Sequence, residues 1–231
     1  MDGQTVIVTG GTRGIGAAVA EAFGADGATV VVGARDADEV DATVDALEDT
    51  GTTAAGLRTD VRDEYDVERL TETASRAGEA AGIDVVVPAA GVYHGEAGTT
   101  PTDDESYSAF DDHWRTNGRG VYATIRESLP HLNDDARVLV PTGSVARDGT
   151  AGYGSYAISK ATAEAVTRAS PPTLTTSWLS GPGDRCNGTV GRDRPRSGRR
   201  RPMFVWAATE ADPTAVDGAV VGLREWKQAT R

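Results

Sequence analysis

A single cysteine, Cys186, stands among the 231 residues, which excludes an internal disulfide framework and a cysteine-rich metal site. Histidine is nearly as scarce. His94, His113 and His131 are scattered along the chain in no zinc-ligand pattern, so no metal is expected. No apolar run approaches the roughly 18 residues that a membrane span requires. The first residues carry neither a charged leader nor a long apolar stretch, and a cytoplasmic location without membrane attachment is the expectation. Lysine is almost missing too: 2 Lys accompany 21 Arg, against 22 Asp and 13 Glu, for a formal net charge of −12. Such a balance repels polyanions and argues against a nucleic-acid partner. An Asp-rich, Lys-poor surface suits concentrated salt, where screening removes self-repulsion; an acidic protein of ordinary salt from a GC-rich genome is the alternative.

What is present alternates. Thr5–Val8 predicts a buried strand, followed by a glycine-bearing loop and a helix over Ala17–Phe23 that Gly24 and Gly27 close. A strand at Thr29–Val32 precedes an amphipathic helix carrying Val40, Val44 and Leu47, stopped by Gly51. Ala54–Leu57, Asp84–Val87 and Arg137–Val140 predict further strands; Val67–Ala77, Asp111–Leu129 and Ala157–Ala169 predict helices. This βαβ order predicts an α/β fold: one doubly wound parallel sheet of Rossmann type, helices on both faces, in a single domain. Ligands in such sheets bind at the carboxyl edge of the strands, where each predicted strand here ends in a polar or glycine-bearing loop.

Two stretches carry chemistry. Gly10, Gly14 and Gly16 lie between the first strand and its helix, where missing Cβ atoms permit a tight turn and close backbone approach to a pyrophosphate. Farther on, Tyr156 and Lys160 stand four apart on a predicted helix and so share one face, with Ser144 twelve residues upstream. An ammonium beside a phenol favours the phenolate, which makes the pair a candidate general acid/base; two ordinary surface residues are the bland reading.

Together these residues resemble the short-chain dehydrogenase/reductase family, in particular its carbonyl-reductase-like members, over about residues 4–170. Thr9 to Gly16, including Thr12, Arg13 and Ile15, match the family's TGxxxGIG cofactor loop. Asp60 and Val61 match its adenine-holding pair, and Ala90-Gly91 stand where the cofactor approaches the fourth strand. Asn117, Ser144, Tyr156 and Lys160 match its catalytic tetrad in order. The resemblance implies interconversion of a carbonyl and an alcohol on a small-molecule substrate, by hydride transfer with a nicotinamide cofactor. It implies that Tyr156 carries the proton and Lys160 lowers its pKa and binds the nicotinamide ribose. Ser144 would hold the substrate oxygen and Asn117 a relay water. It further implies a homodimer or homotetramer built through the helices at Asp111–Leu129 and Ala157–Ala169. NADP is the expected cofactor, with NAD possible: the second strand ends in Ala34-Arg35 rather than an acid, and Arg13 and Arg35 suit a 2′-phosphate. Asp36, one place late for the ribose role, would instead cap the next helix.

Two departures stand out. The family's Asn-Asn-Ala-Gly is here Pro88-Ala89-Ala90-Gly91, and Pro88 is tolerable only at a strand end. Pro171–Pro202 contains no alanine and holds seven Arg against two Asp, with six Arg crowded into Arg192–Arg201. Its five hydrophobic residues predict no sixth buried strand there, and only Pro182-Gly183 match the family's loop over the nicotinamide. From Phe204 the apolar character returns, and Gly218–Trp226 suits a last strand and tail. The switch suggests a locally shifted reading frame; an Arg-rich disordered insert or a phosphate-bearing ligand site are its rivals. The functional alternative is accordingly a catalytically impaired or non-catalytic nucleotide-binding protein, such as a redox sensor.

Overall fold

Thr5–Thr9 (β1) reads TVIVT and is buried at every position, as expected of a strand covered on both faces. The computed structural model describes residues 1–148, 151–170, 175–180 and 202–230. After β1 come α1 (Gly14–Ala25), β2 (Thr29–Ala34), α2 (Ala37–Glu48), β3 (Ala54–Arg58), α3 (Glu64–Ala74) and β4 (Ile83–Pro88). The chain continues through α4 (Tyr107–His113), a π-helical turn at Trp114–Arg119, α5 (Gly120–Ser128), β5 (Leu132–Thr142) and α6 (Gly154–Arg168). It ends with β6 (Thr175–Ser180), α7 (Met203–Thr209), α8 (Pro213–Val216), β7 (Ala219–Gly222) and α9 (Leu223–Ala229).

Among the described residues, seven strands form one parallel sheet in the order β3-β2-β1-β4-β5-β6-β7. Strand order therefore reverses between β1 and β4, which opens a crevice at their carboxyl ends. Alternate residues of each strand feed opposite cores. Val6, Val8, Val30 and Val32 pack with Val19, Phe23 and the α7 residues Phe204, Val205 and Trp206. Ile7, Val31, Val86 and Val138 pack on the other side with Leu70, Val121, Ile125 and Ala163. The expected doubly wound α/β architecture is thus present.

Local signals explain several boundaries. Asp36 does cap α2, accepting from the backbone N–H of Glu39 at 3.1 Å. Pro88 is the last residue of β4, where its missing N–H disturbs no ladder bond beyond it, and Ala89 resumes by donating to the carbonyl of Thr9 at 3.1 Å. The register of β4 on β5 shifts between Ile83 and Val85, and Asp135 in that part of β5 takes φ +64°, a conformation that Asp tolerates better than most residues.

Two expectations need correction. The helix expected over Asp111–Leu129 starts earlier, at Tyr107, and is interrupted by the π turn. Thr175–Ser180, placed by composition outside any buried strand, is β6, paired with β5 from Arg137↔Thr175 to Thr142↔Ser180. A parallel ladder is built by backbone groups, and Thr, Trp and Leu accept extended chain, so a low apolar count did not forbid it. The C-terminal elements rejoin the fold: Arg137 on β5 donates to the carbonyls of Ala207 and Ala211 at 2.5 and 3.0 Å, tying α7 to the sheet.

Candidate active site

The glycine loop sits in the crevice between β1 and β4. Gly10 adopts φ +68°, and a Cβ there would lie 2.6 Å from Cα of Ala90, so its absence lets the two loops touch. A Cβ on Gly16 would come within 2.1 Å of the Gly10 carbonyl oxygen. Gly14, by contrast, faces open space, with nothing within 4 Å of its Cβ position. Arg13 at the N-cap of α1 provides no side-chain cap, and the first turn holds no acid. A helix N-terminus so left presents its backbone N–H groups to an anion. These features fit the pyrophosphate of a dinucleotide. Thr12 donates to the Glu39 carboxylate at 3.0 Å, which bridges the loop to α2.

Around this cradle, Arg13 and Arg35 are exposed, and Arg35 lies near enough to Asp60 to help lower its pKa. Asp60 is chiefly the partner of Arg62, which donates to both its oxygens at 2.7 to 3.1 Å and holds it below the usual carboxylate range. Val61 is buried against Gly120 of α5. Ala90 and Gly91 follow β4 on the same sheet edge, and Gly91 abuts Asn117. Pro182 and Gly183 lie outside the described residues.

The catalytic candidates converge on α6. Tyr156 and Lys160 are both partly buried in it, one turn apart, and Lys160 donates from Nζ to the carbonyl of Pro141 on β5 at 2.6 Å. Ser144 follows β5 directly, opening a 3-10 turn, and is half-buried. Asn117 is buried in the π turn; its amide donates to Ser159 Oγ at 3.0 Å, and Ser159 donates to the Tyr156 carbonyl at 2.8 Å. Asn117 also bonds Val92 beyond β4, accepting from its N–H at 2.8 Å and donating to its carbonyl at 2.9 Å. The π winding is itself characteristic of functional sites.

Sequence reasoning missed a second layer. His94 and His113, far apart in the chain, have ring centroids 5.1 Å apart. His113 is fully buried beside Ser155 and Glu105, and the Tyr93 ring stacks on it at 5.8 Å and meets Tyr156 edge-on at 4.7 Å. The available signals were the spacing of His113 four residues before Asn117 and the adjacency of Ser155 to Tyr156. Arg62 was missed as well: it bridges Asp60 to Asp112, at 2.9 Å to the latter. Among the described residues no group of three or more His, Cys, Asp and Glu is placed to hold a metal, and no helix is long and apolar enough to cross a membrane.

Comparison with known proteins identifies the family and the fold. Residues 4–175 match the family model for short chain dehydrogenase. Versicolorin reductase stcU of Emericella nidulans is 34% identical over 148 residues, 63% of this chain and 53% of its own length. The chain spans about half the length of the curated relatives it matches. An alcohol dehydrogenase from Thermococcus sibiricus, solved with 5-hydroxy-NADP, superposes with a TM-score of 0.70 at 26% identity, covering 77% of this chain and 75% of that one. A blue fluorescent protein from a metagenomic library, solved with NADPH, gives 0.77 at 25% identity, covering 96% of each chain.

Proposed function

This chain belongs to the short-chain dehydrogenase/reductase family, and on that premise we propose that it is an NADP(H)-dependent oxidoreductase interconverting a carbonyl and an alcohol. The observation that carries the reading is the placement of Tyr156 and Lys160 one turn apart on α6, with Lys160 seated on β5 and α6 joined through Ser159 to Asn117. Hydride chemistry is what the nicotinamide supplies when bound. Tyr156 protonates the substrate oxygen in reduction, or removes the proton in oxidation, and the Lys160 ammonium nearby favours the phenolate. Ser144, at the carboxyl end of β5, orients that oxygen and stabilises its charge. Since the Asn117 side chain is committed to Val92 and Ser159, any water it holds falls to its backbone.

The open face at Gly14, the uncapped start of α1 and the exposed Arg13 and Arg35 support a phosphate-rich dinucleotide, NADP ahead of NAD, and solved neighbours bound to NADPH support the same choice. Asp36 is spent as the α2 cap, which leaves no acid immediately after β2 for a ribose diol. Exposed Phe110, Trp114, Tyr122 and Ile158 on α4–α6 favour a homodimer or homotetramer.

Fluorescence titration with NADPH in concentrated KCl, followed by oxidation with a panel of aldehydes and ketones, tests the proposal. Tight binding with turnover that Tyr156→Phe abolishes is expected. Binding without turnover of any carbonyl would favour the non-catalytic nucleotide-binding alternative, and no affinity for either dinucleotide would overturn both.

A further inference from the structure

His113 lies directly behind the candidate catalytic helix, and its hydrogen bonds have one consistent direction. The backbone N–H of His94 donates to Nε2 at 3.0 Å, so Nε2 carries no proton. Nδ1 must then bear the ring's hydrogen, and it lies 2.7 Å from Ser155 Oγ. The Ser155 hydroxyl passes its own hydrogen on to Glu105 Oε1 at 2.7 Å, while the Ser155 backbone N–H donates to Glu105 Oε2 at 2.7 Å. A backbone donor at one end and a carboxylate at the other thus fix every proton in the chain, and the imidazole is neutral.

Two links of that chain reach the candidate site. Ser155 is the residue before Tyr156 in the first turn of α6. His94 ends the segment that Asn117 clamps at Val92, and between them Tyr93 meets the Tyr156 ring edge-on. The His113 and Tyr156 rings are themselves 5.9 Å apart in an edge contact.

We propose that His113 is a positioning residue for Tyr156: as its neutral Nδ1–H tautomer it locks the start of α6 and the Tyr93 ring into the arrangement that aims the phenol. This rests on the oxidoreductase reading above. Charging the imidazole would set an Nε2–H against the His94 N–H, release residues 92–94 and loosen the setting of Tyr156. The charged and titratable groups around the ring are Glu105 from the loop before α4, His94 from the loop after β4, Asp112 beside it on α4, and Tyr93 and Tyr156. Burial lowers the His113 pKa, ahead of the opposing pull of Glu105, so the neutral form persists below the ordinary histidine range. Activity then survives mild acid and falls when the ring finally charges.

The test compares wild type with His113→Phe, which keeps the ring and removes both nitrogens, and His113→Asn, which keeps a donor toward Ser155 but cannot titrate. For His113→Phe, kcat should drop about ten- to a hundredfold with KM for NADPH unchanged, the size expected of a misaimed reacting group. His113→Asn should recover part of kcat and lose the acid limb assigned to the ring. Should His113→Phe fail to fold, Ser155→Ala cuts the same chain while leaving the ring, and should lower kcat without changing NADPH affinity. Nitrogen-15 NMR of wild type should find the Nδ1–H tautomer at pH 7. A protonated Nε2, or active wild type with kcat and pH profile unmoved in the variants, overturns this inference alone. Wild type that binds no pyridine dinucleotide and reduces no carbonyl overturns the oxidoreductase reading, and this inference with it.

Discussion

Asn117 grips Val92 at both of its backbone polar groups, through 2.8 and 2.9 Å hydrogen bonds, in the manner of a neighbouring strand. One side chain thereby continues the backbone pairing of β4 past Pro88, and its remaining donor hydrogen bonds Ser159 on α6.

Asn117→Ala should therefore lower stability by about 2–3 kcal/mol, since three partners in a largely buried setting lose their hydrogen bonds. Denaturant unfolding monitors the loss. Turnover should fall further than stability alone accounts for, because the segment 92–94 and α6 lose their shared tie.

Arg62 holds Asp60 and Asp112 together. Burial would raise the pKa of Asp112, but hydrogen bonds from His94 and Arg62 outweigh it and bring the value down; Asp60 is lowered mainly by Arg62 itself. Carboxyls depressed in the folded state contribute stability above their unfolded pKa near 3.8 and lose it as pH falls through their folded values. Arg62→Ala should cost about 1–2 kcal/mol at pH 7, after allowing for the partial exposure of the guanidinium, and progressively less toward pH 3. Thermal melts across that range measure the convergence.

Cofactor choice should turn on Arg35. Arg35→Asp places an acid after β2 and removes a cation, so the ratio of NADP to NAD affinity should fall about ten- to a hundredfold. Paired fluorescence titrations read the ratio directly; an unchanged ratio would assign the discrimination elsewhere.

Arg137 is the polar tie between β5 and α7. Replacing it by Ala leaves the Ala207 and Ala211 carbonyls without their donor, and an unfolding free-energy loss of about 2–3 kcal/mol is expected. Proteolysis should then begin in the C-terminal elements rather than in β1–β4.

The acidic surface should make salt stabilising. Raising KCl should increase the melting temperature, by screening like charges, and most steeply at low ionic strength. A melting temperature that declines with KCl would favour the ordinary-salt alternative.

Much of this molecule was legible because its signals are local. The strand-loop-helix run from Thr5 to Phe23 declares itself through β-branched residues and glycines whose missing Cβ atoms the structure requires at Gly10 and Gly16. Tyr156 and Lys160 were readable because helical spacing alone puts them on one face. Asp36 was readable as a cap from its place before α2. The misreadings are long-range. β6 is defined by backbone pairing with β5, which composition does not encode. His113, Glu105 and Ser155 meet only because α4 packs on the start of α6, so three separated polar residues became one buried network. Arg62 finds Asp112 fifty positions away for the same reason.

The two lysines, finally, have opposite fates. Lys160 is half-buried with its amine turned to a β5 carbonyl, whereas Lys227 is exposed on the short helix α9. Amine coupling of the native protein should accordingly reach one side chain. Dyes, beads or electrodes can thereby be attached through one defined side chain, an orientation control that lysine-rich proteins seldom offer.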